Sequence, residues 1–140
     1  MEFRRFDDTL YVRMDKGEEI VETLTHLAKR ENLRLAEISG IGATNDFTVG
    51  LYNLAEHEYH ANTFEGDHEI VSLLGTLTIR HGEPYLHLHM SCAEGDGSVV
   101  GGHLTRAVVS ATCEVVLRLS QGRVERRHDE DVGLNLFSFQ

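Results

Sequence analysis

The sequence predicts an α+β fold: a mainly antiparallel β-sheet with one long amphipathic helix near the N-terminus. Three observations carry this. Only one stretch has sustained helical periodicity, many short runs alternate apolar and polar residues, and glycine-containing turns separate those runs. A single proline (Pro84) and the absence of any low-complexity or Gly/Ser-rich linker leave no visible internal boundary, so one domain over residues 1–140 is expected. A chain of this length buries roughly two-thirds of its unfolded surface, enough for a core without disulfide or metal staples.

The first strand is Thr9 to Asp15, where Leu10, Val12 and Met14 fall on one side and Tyr11 and Arg13 on the other. Asp15-Lys16-Gly17-Glu18 has capping-box spacing, and Ile20, Val21, Leu24, Leu27 and Ala28 recur at helical intervals through about Glu31. A strand over Arg34 to Ser39 precedes a tight turn at Gly40-Ile41-Gly42, and Phe47 to Asn53 alternates again. Further strands are expected at Tyr59–Phe64, Glu69–Leu74, Gly75–Arg80, Tyr85–Ser91, Val99–Leu104, Val108–Leu119 and Leu134–Phe137. Their turns contain Gly66, His81-Gly82, Asp96-Gly97 and Gln121-Gly122. Such short, closely spaced strands imply antiparallel pairing, with the helix covering the apolar face.

Charge narrows the function classes. Lys and Arg number 13 against 23 for Asp and Glu, a net −10 with neutral histidines, and the pI is about 5.3. The only basic run, Arg123, Arg126 and Arg127, is followed at once by Asp129, Glu130 and Asp131. Binding to a phosphate backbone needs the opposite balance, so nucleic acid is disfavoured as a partner of this chain alone. No run approaches the roughly 18 apolar residues of a membrane span, and the N-terminus lacks a secretory apolar region, so a cytoplasmic location is expected. Cys92 and Cys113 form no CxxC pair and read as buried thiols.

The informative cluster lies among the nine histidines. His57, His60, His68 and His81 scatter through turns and edges, but Tyr85-Leu86-His87-Leu88-His89-Met90-Ser91 is patterned. On a strand Tyr85, His87, His89 and Ser91 share one face, while Leu86, Leu88, Met90 and Cys92 form the core face. Two imidazoles at i and i+2 stand roughly 6 to 7 Å apart and can both lean toward one ion, but a pair alone decides little. His103 supplies a third ligand only if the following hairpin has an odd loop centred on Asp96, which sets it opposite His89. A two-residue turn at Asp96-Gly97 would send it to the apolar side. The odd loop calls for Gly97 in the left-handed position of a bulged turn, or for a wider excursion. The alternative for His87 and His89 is a pair of half-exposed polar residues, on a sheet face or at a subunit contact. Gly101-Gly102 likewise reads either as a close backbone approach beside a site or as a kink that lets the sheet curl.

Other catalytic patterns are missing: no Gly-x-Ser-x-Gly elbow, no phosphate-binding loop, and no dinucleotide fingerprint, since Gly40-Ile41-Gly42-Ala43-Thr44-Asn45 lacks its last glycine. Glu94-Gly95-Asp96-Gly97 lacks the spaced carboxylates of a calcium loop and reads as a turn. Apolar residues on both faces of Val108–Leu119, and Phe137 and Phe139 near the end, point to a subunit contact.

Gly40-Ile41-Gly42-Ala43, Phe64-Glu65-Gly66, Glu69-Ile70-Val71-Ser72-Leu73-Leu74-Gly75-Thr76, His87-Leu88-His89 and Gly101-Gly102-His103-Leu104, in that order, resemble the PPC (plant and prokaryote conserved) domain from about Phe6 to Leu119. The resemblance implies a fold similar to that of acetolactate decarboxylase and assembly as a homotrimer. It also implies a metal ion, zinc above other divalent ions, on His87, His89 and His103, with Glu69 as a further ligand or a hydrogen-bonding support. Glu69 could instead be a cross-strand partner for an arginine such as Arg80. Plant relatives join this domain to AT-hooks, but no Arg-Gly-Arg-Pro occurs here, and the family's association with DNA has no support in the charge. Two functions follow as expectations: a trimeric module that binds metal and a small ligand, or a zinc-dependent lyase or hydrolase with Glu69, Tyr85 or His68 as acid–base group.

Overall fold

The alternating run Thr9–Asp15 forms β2, preceded by a strand the sequence pattern did not suggest, β1 (Glu2–Phe6), which pairs with it. The computed structural model describes residues 1–139. After β2 come α1 (Ile20–Arg30), β3 (Ala36–Asn53), β4 (Glu58–Arg80), β5 (Glu83–Ala93), β6 (Val99–Leu119), β7 (Glu125–Asp129) and β8 (Leu134–Ser138). The fold is α+β, with a sheet that is antiparallel among the described residues except for one parallel pairing between β4 and β7 at Ile79 and Glu125.

The helix begins one turn beyond the expected box. The Glu18 carboxylate does accept from the Asp15 backbone N–H at 2.7 Å, as a box would. The cap, however, is Glu19, whose carboxylate accepts from the N–H groups of Val21 and Glu22 and also holds the Ala107 N–H of β6 at 2.8 Å. Ile20, Leu24, Leu27 and Ala28 face inward and are buried, and α1 lies on β5 and β6. Leu10, Val12 and Met14 of β2, Leu88, Met90 and Cys92 of β5, and Cys113, Val115 and Leu117 of β6 complete that core. Each large aliphatic buried there contributes about 1.5–3 kcal/mol. Both cysteines are free and buried, and burial pushes each thiol up to about 12.

Several expected turns are instead interior to long strands. Gly40-Ile41-Gly42 lies within β3, where the register slips against β4 between Gly40 and Gly42. The glycines let backbones approach: a Cβ on Gly40 would lie 2.9 Å from the Glu114 carbonyl oxygen, and one on Gly42 would meet that of Thr112. Gly66, at φ +93, bends β4 rather than ending it, so three expected strands are one. Val99–Leu104 and Val108–Leu119 likewise merge into β6. These long bent strands pair in a closed circuit: β3 with β4, β4 with β5, β5 with β6, and β6 with β3. One point of that circuit carries the histidines.

Candidate metal centre

The loop between β5 and β6 decides where His103 points. The Gly97 N–H donates to the Glu94 carbonyl and the Glu94 N–H to the Ser98 carbonyl, both at 2.9 Å, with Gly97 at φ +85. The Asp96 carboxylate secures the turn by accepting from the Ser98 N–H and hydroxyl at 2.8 and 2.6 Å. This is the odd, bulged loop, and the register sets His89 opposite His103. Facing residues on neighbouring strands project to the same side, so His87, His89 and His103 share the face away from the core. Their ring centroids are 5.2, 5.3 and 5.6 Å apart, and one ligating nitrogen from each lies within 4.8 Å of the others.

Glycines shape the backbone around these rings. A Cβ on Gly75 would collide with the His87 carbonyl oxygen, one on Gly101 would lie 2.6 Å from that of Met90, and one on Gly102 2.5 Å from that of Gly50. Gly101-Gly102 is thus a close approach that wedges β6 between β5 and β3 just before His103. Gly50, the β3 partner of His103, leaves open the space that the Tyr59 ring crosses. Tyr59 meets His103 edge-on at 5.5 Å, donates its hydroxyl to the His103 carbonyl at 2.9 Å, and accepts from Thr105 at 3.0 Å. His103 is therefore fixed from both sides.

Burial, reinforced by His103, Arg126 and His89, pushes His87 down to about 4, and burial together with His89 lowers His103. Both rings are neutral at pH 7 and keep a lone pair to offer. Among the described residues no ring nitrogen of the three has a hydrogen-bond partner, and no carboxylate is paired with any of them. Three unengaged imidazoles on one point form a donor set that could hold a divalent ion.

Arg126 is a neighbour the sequence reading treated only as part of a basic run. It comes from β7, reaches over β4, and is buried. Nε–H donates to Thr78 Oγ1 at 3.0 Å, Nη2 to Thr76 Oγ1 at 3.3 Å, and Nη1 to the Asn135 carbonyl at 2.9 Å. Thr76 and Thr78 are the β4 partners of His87 and Tyr85, which sets the guanidinium on the histidine face. No sequence signal separated Arg126 from Arg123 and Arg127, because a short charged segment such as Glu125–Asp129 has no apolar alternation.

Other sequence candidates lie elsewhere. Glu69 is exposed and opposite Ala93, five residues along β4 from Leu74, the partner of His89, or about 16 Å at strand rise. That separation keeps its carboxylate away from the three rings of the same chain, and it makes no ion pair with Arg80 among the described residues. His68 is on the core side, edge-on to Phe47 and Phe64, with Nδ1 2.7 Å from the Gly66 carbonyl. Tyr85 does share the histidine face; its ring lies 5.0 Å from the Arg126 guanidinium carbon and its hydroxyl accepts from Asn135 at 3.4 Å. A second grouping, Glu56, Glu58 and His60, is fully exposed, and its imidazole is already engaged by Glu56 at 2.9 Å.

An antiparallel α+β sheet that carries a three-histidine cluster on its outer face defines the class of protein. The chain matches the Plants and Prokaryotes Conserved (PCC) domain over residues 1–120 and belongs to that family. It is similar to the crystal structure of a suggested DNA-binding protein from Bacteroides thetaiotaomicron VPI-5482 (29% identity, TM-score 0.96, covering 99% of this chain and 96% of that one). It is also similar to a metal-containing protein from Archaeoglobus fulgidus (33% identity, TM-score 0.87, covering 98% and 96%). Acetolactate decarboxylase from Bacillus subtilis subspecies spizizenii shares the fold, at 18% identity and TM-score 0.60 over 86% of this chain and 57% of that one. A search of curated proteins finds no match. No helix among the described residues is long and apolar enough to cross a membrane.

Proposed function

We propose that this protein is a metal-binding module in which His87, His89 and His103 hold one divalent ion, zinc by preference, within a homotrimer that presents the ion to a small ligand. The observation that carries this reading is the convergence of the three ligating nitrogens to within 4.8 Å. Two nitrogens about 2.1 Å from a tetrahedral ion are about 3.4 Å apart, so modest side-chain rotation closes the site. The metal-containing relative from Archaeoglobus fulgidus supports it. Because imidazoles bring no charge, an ion held by them keeps its full Lewis acidity toward an oxygen ligand.

The trimer is supported by the uncovered face of the sheet, where Tyr11, Ile41, Val71 and Leu74 are each more than half exposed and line a shallow groove of about 710 Å³. A lyase or hydrolase needs an acid–base group beside the ion; among the described residues no carboxylate is paired with the rings, which leaves Tyr85, on the histidine face, as the group for that second reading. The DNA-binding association of relatives meets a net charge of −10 here, which opposes it.

Metal analysis of purified protein tests the reading. About one zinc per chain is expected in the wild type and none in His103→Ala, with the far-ultraviolet circular dichroism unchanged. Equal metal content in the two proteins would refute it.

A further inference from the structure

Arg126 is only 9% exposed, yet no carboxylate lies within ion-pairing distance among the described residues, although Arg123 close by is paired with Glu125. Its three engaged donors all meet neutral oxygens: two threonine hydroxyls and one backbone carbonyl. A guanidinium has five N–H groups, so two remain, one on each terminal nitrogen. The guanidinium carbon lies over the Tyr85 ring at 5.0 Å and over the Phe137 ring at 4.3 Å. A buried cation without a counter-ion is costly unless something supplies the negative charge. The Asn135 side-chain oxygen, also buried and without a partner, marks the same spot as incompletely satisfied.

Position tells what that something must reach. Nη2 is bonded to Thr76, whose neighbour across the strand pair is His87, and adjacent strands are about 4.8 Å apart. The guanidinium and the histidine cluster therefore lie side by side on one face. We propose that they form a two-point site for a small carboxylate, one carboxylate oxygen on the ion held by His87, His89 and His103 and the other accepting from Arg126. The two N–H groups left on the arginine give it charge-assisted donors for the carboxylate oxygen that is not on the ion, and the Tyr85 and Phe137 rings pack against the guanidinium. This deepens the metal reading and rests on it.

Cobalt(II)-loaded protein makes the site visible through its absorption bands, with acetate as the probe. Wild type, Arg126→Lys and Arg126→Gln are first compared for cobalt stoichiometry and then titrated with acetate. Equal cobalt loading is expected, with acetate affinity about tenfold or more weaker in Arg126→Gln and intermediate in Arg126→Lys, which keeps the charge but loses the fork. If cobalt gives no bands in wild type, the metal reading fails and this one with it. If cobalt binds and acetate affinity is the same in all three proteins, the metal reading stands and the carboxylate site is overturned. Should Arg126→Gln fail to fold, the comparison of wild type with Arg126→Lys decides, equal affinity again overturning the proposal.

Discussion

Acidification of the metal-free protein tests the electrostatics of the histidine cluster most directly. His87 is half-buried beside two other imidazoles and the Arg126 guanidinium, and its value falls from 6.5 to about 4. At face value that difference is about 3 kcal/mol. The ring is partly exposed, and solvent screening reduces the expected contribution to about 1–2 kcal/mol. Because the folded value lies below the unfolded one, the unfolded chain binds the extra proton between them. Stability therefore falls as pH drops from about 6.5 to about 4, and it is fully present above that window. The assay is urea unfolding with a chelator at pH 7, 6, 5 and 4 for wild type and His87→Gln. Carboxylates titrating in the lower part of the range are common to both proteins, so the difference in slope isolates His87. Wild type should lose about 1–2 kcal/mol more than His87→Gln across the window, and imidazole nitrogen spectra should show His87 still neutral at pH 5. Parallel stability curves, or a His87 ring that protonates near 6.5, would show that the cluster does not exclude the proton.

Gly102→Ala places a methyl 2.5 Å from the Gly50 carbonyl oxygen and should lower stability by about 1–3 kcal/mol in urea unfolding while weakening metal retention, since His103 follows it. Unchanged values for both would mean that β6 has room beside β3. Leu74→Glu puts a charge into the uncovered apolar face, and sedimentation should show a species of three chains for wild type and single chains for the variant. A monomeric wild type would remove that face as the trimer contact.

Local pattern carried much of this protein. Leu86, Leu88 and Met90 alternating with His87 and His89 already required a strand with two imidazoles on one side, because side-chain direction along a strand depends only on parity. The helix from Ile20 was legible for the same kind of reason, one apolar stripe at helical spacing. Strand boundaries were less legible. Gly40, Gly42 and Gly66 mark turns when judged by residue type, and only the pairing of β3 with β4 and β6 shows them to be bulges and close contacts inside continuous strands. β7 was invisible because five residues of mostly charged sequence have no alternation to read. Glu69 looked plausible because its distance from the histidines depends on register, which sequence does not print.

The acidity of the chain, its one amphipathic helix and the shared orientation of His87 and His89 were determined by the sequence alone, since composition and periodicity are properties of neighbours along the chain. Which side His103 takes, and that Arg126 arrives over Thr76 and Thr78 to stand beside His87, was decided only by the tertiary structure. The first depends on whether the hairpin loop is odd or even, and the second on the docking, at the edge of β4, of a strand whose Arg126 lies 39 residues beyond His87. Both are settled by which backbone pairing and burial the whole chain can satisfy at once.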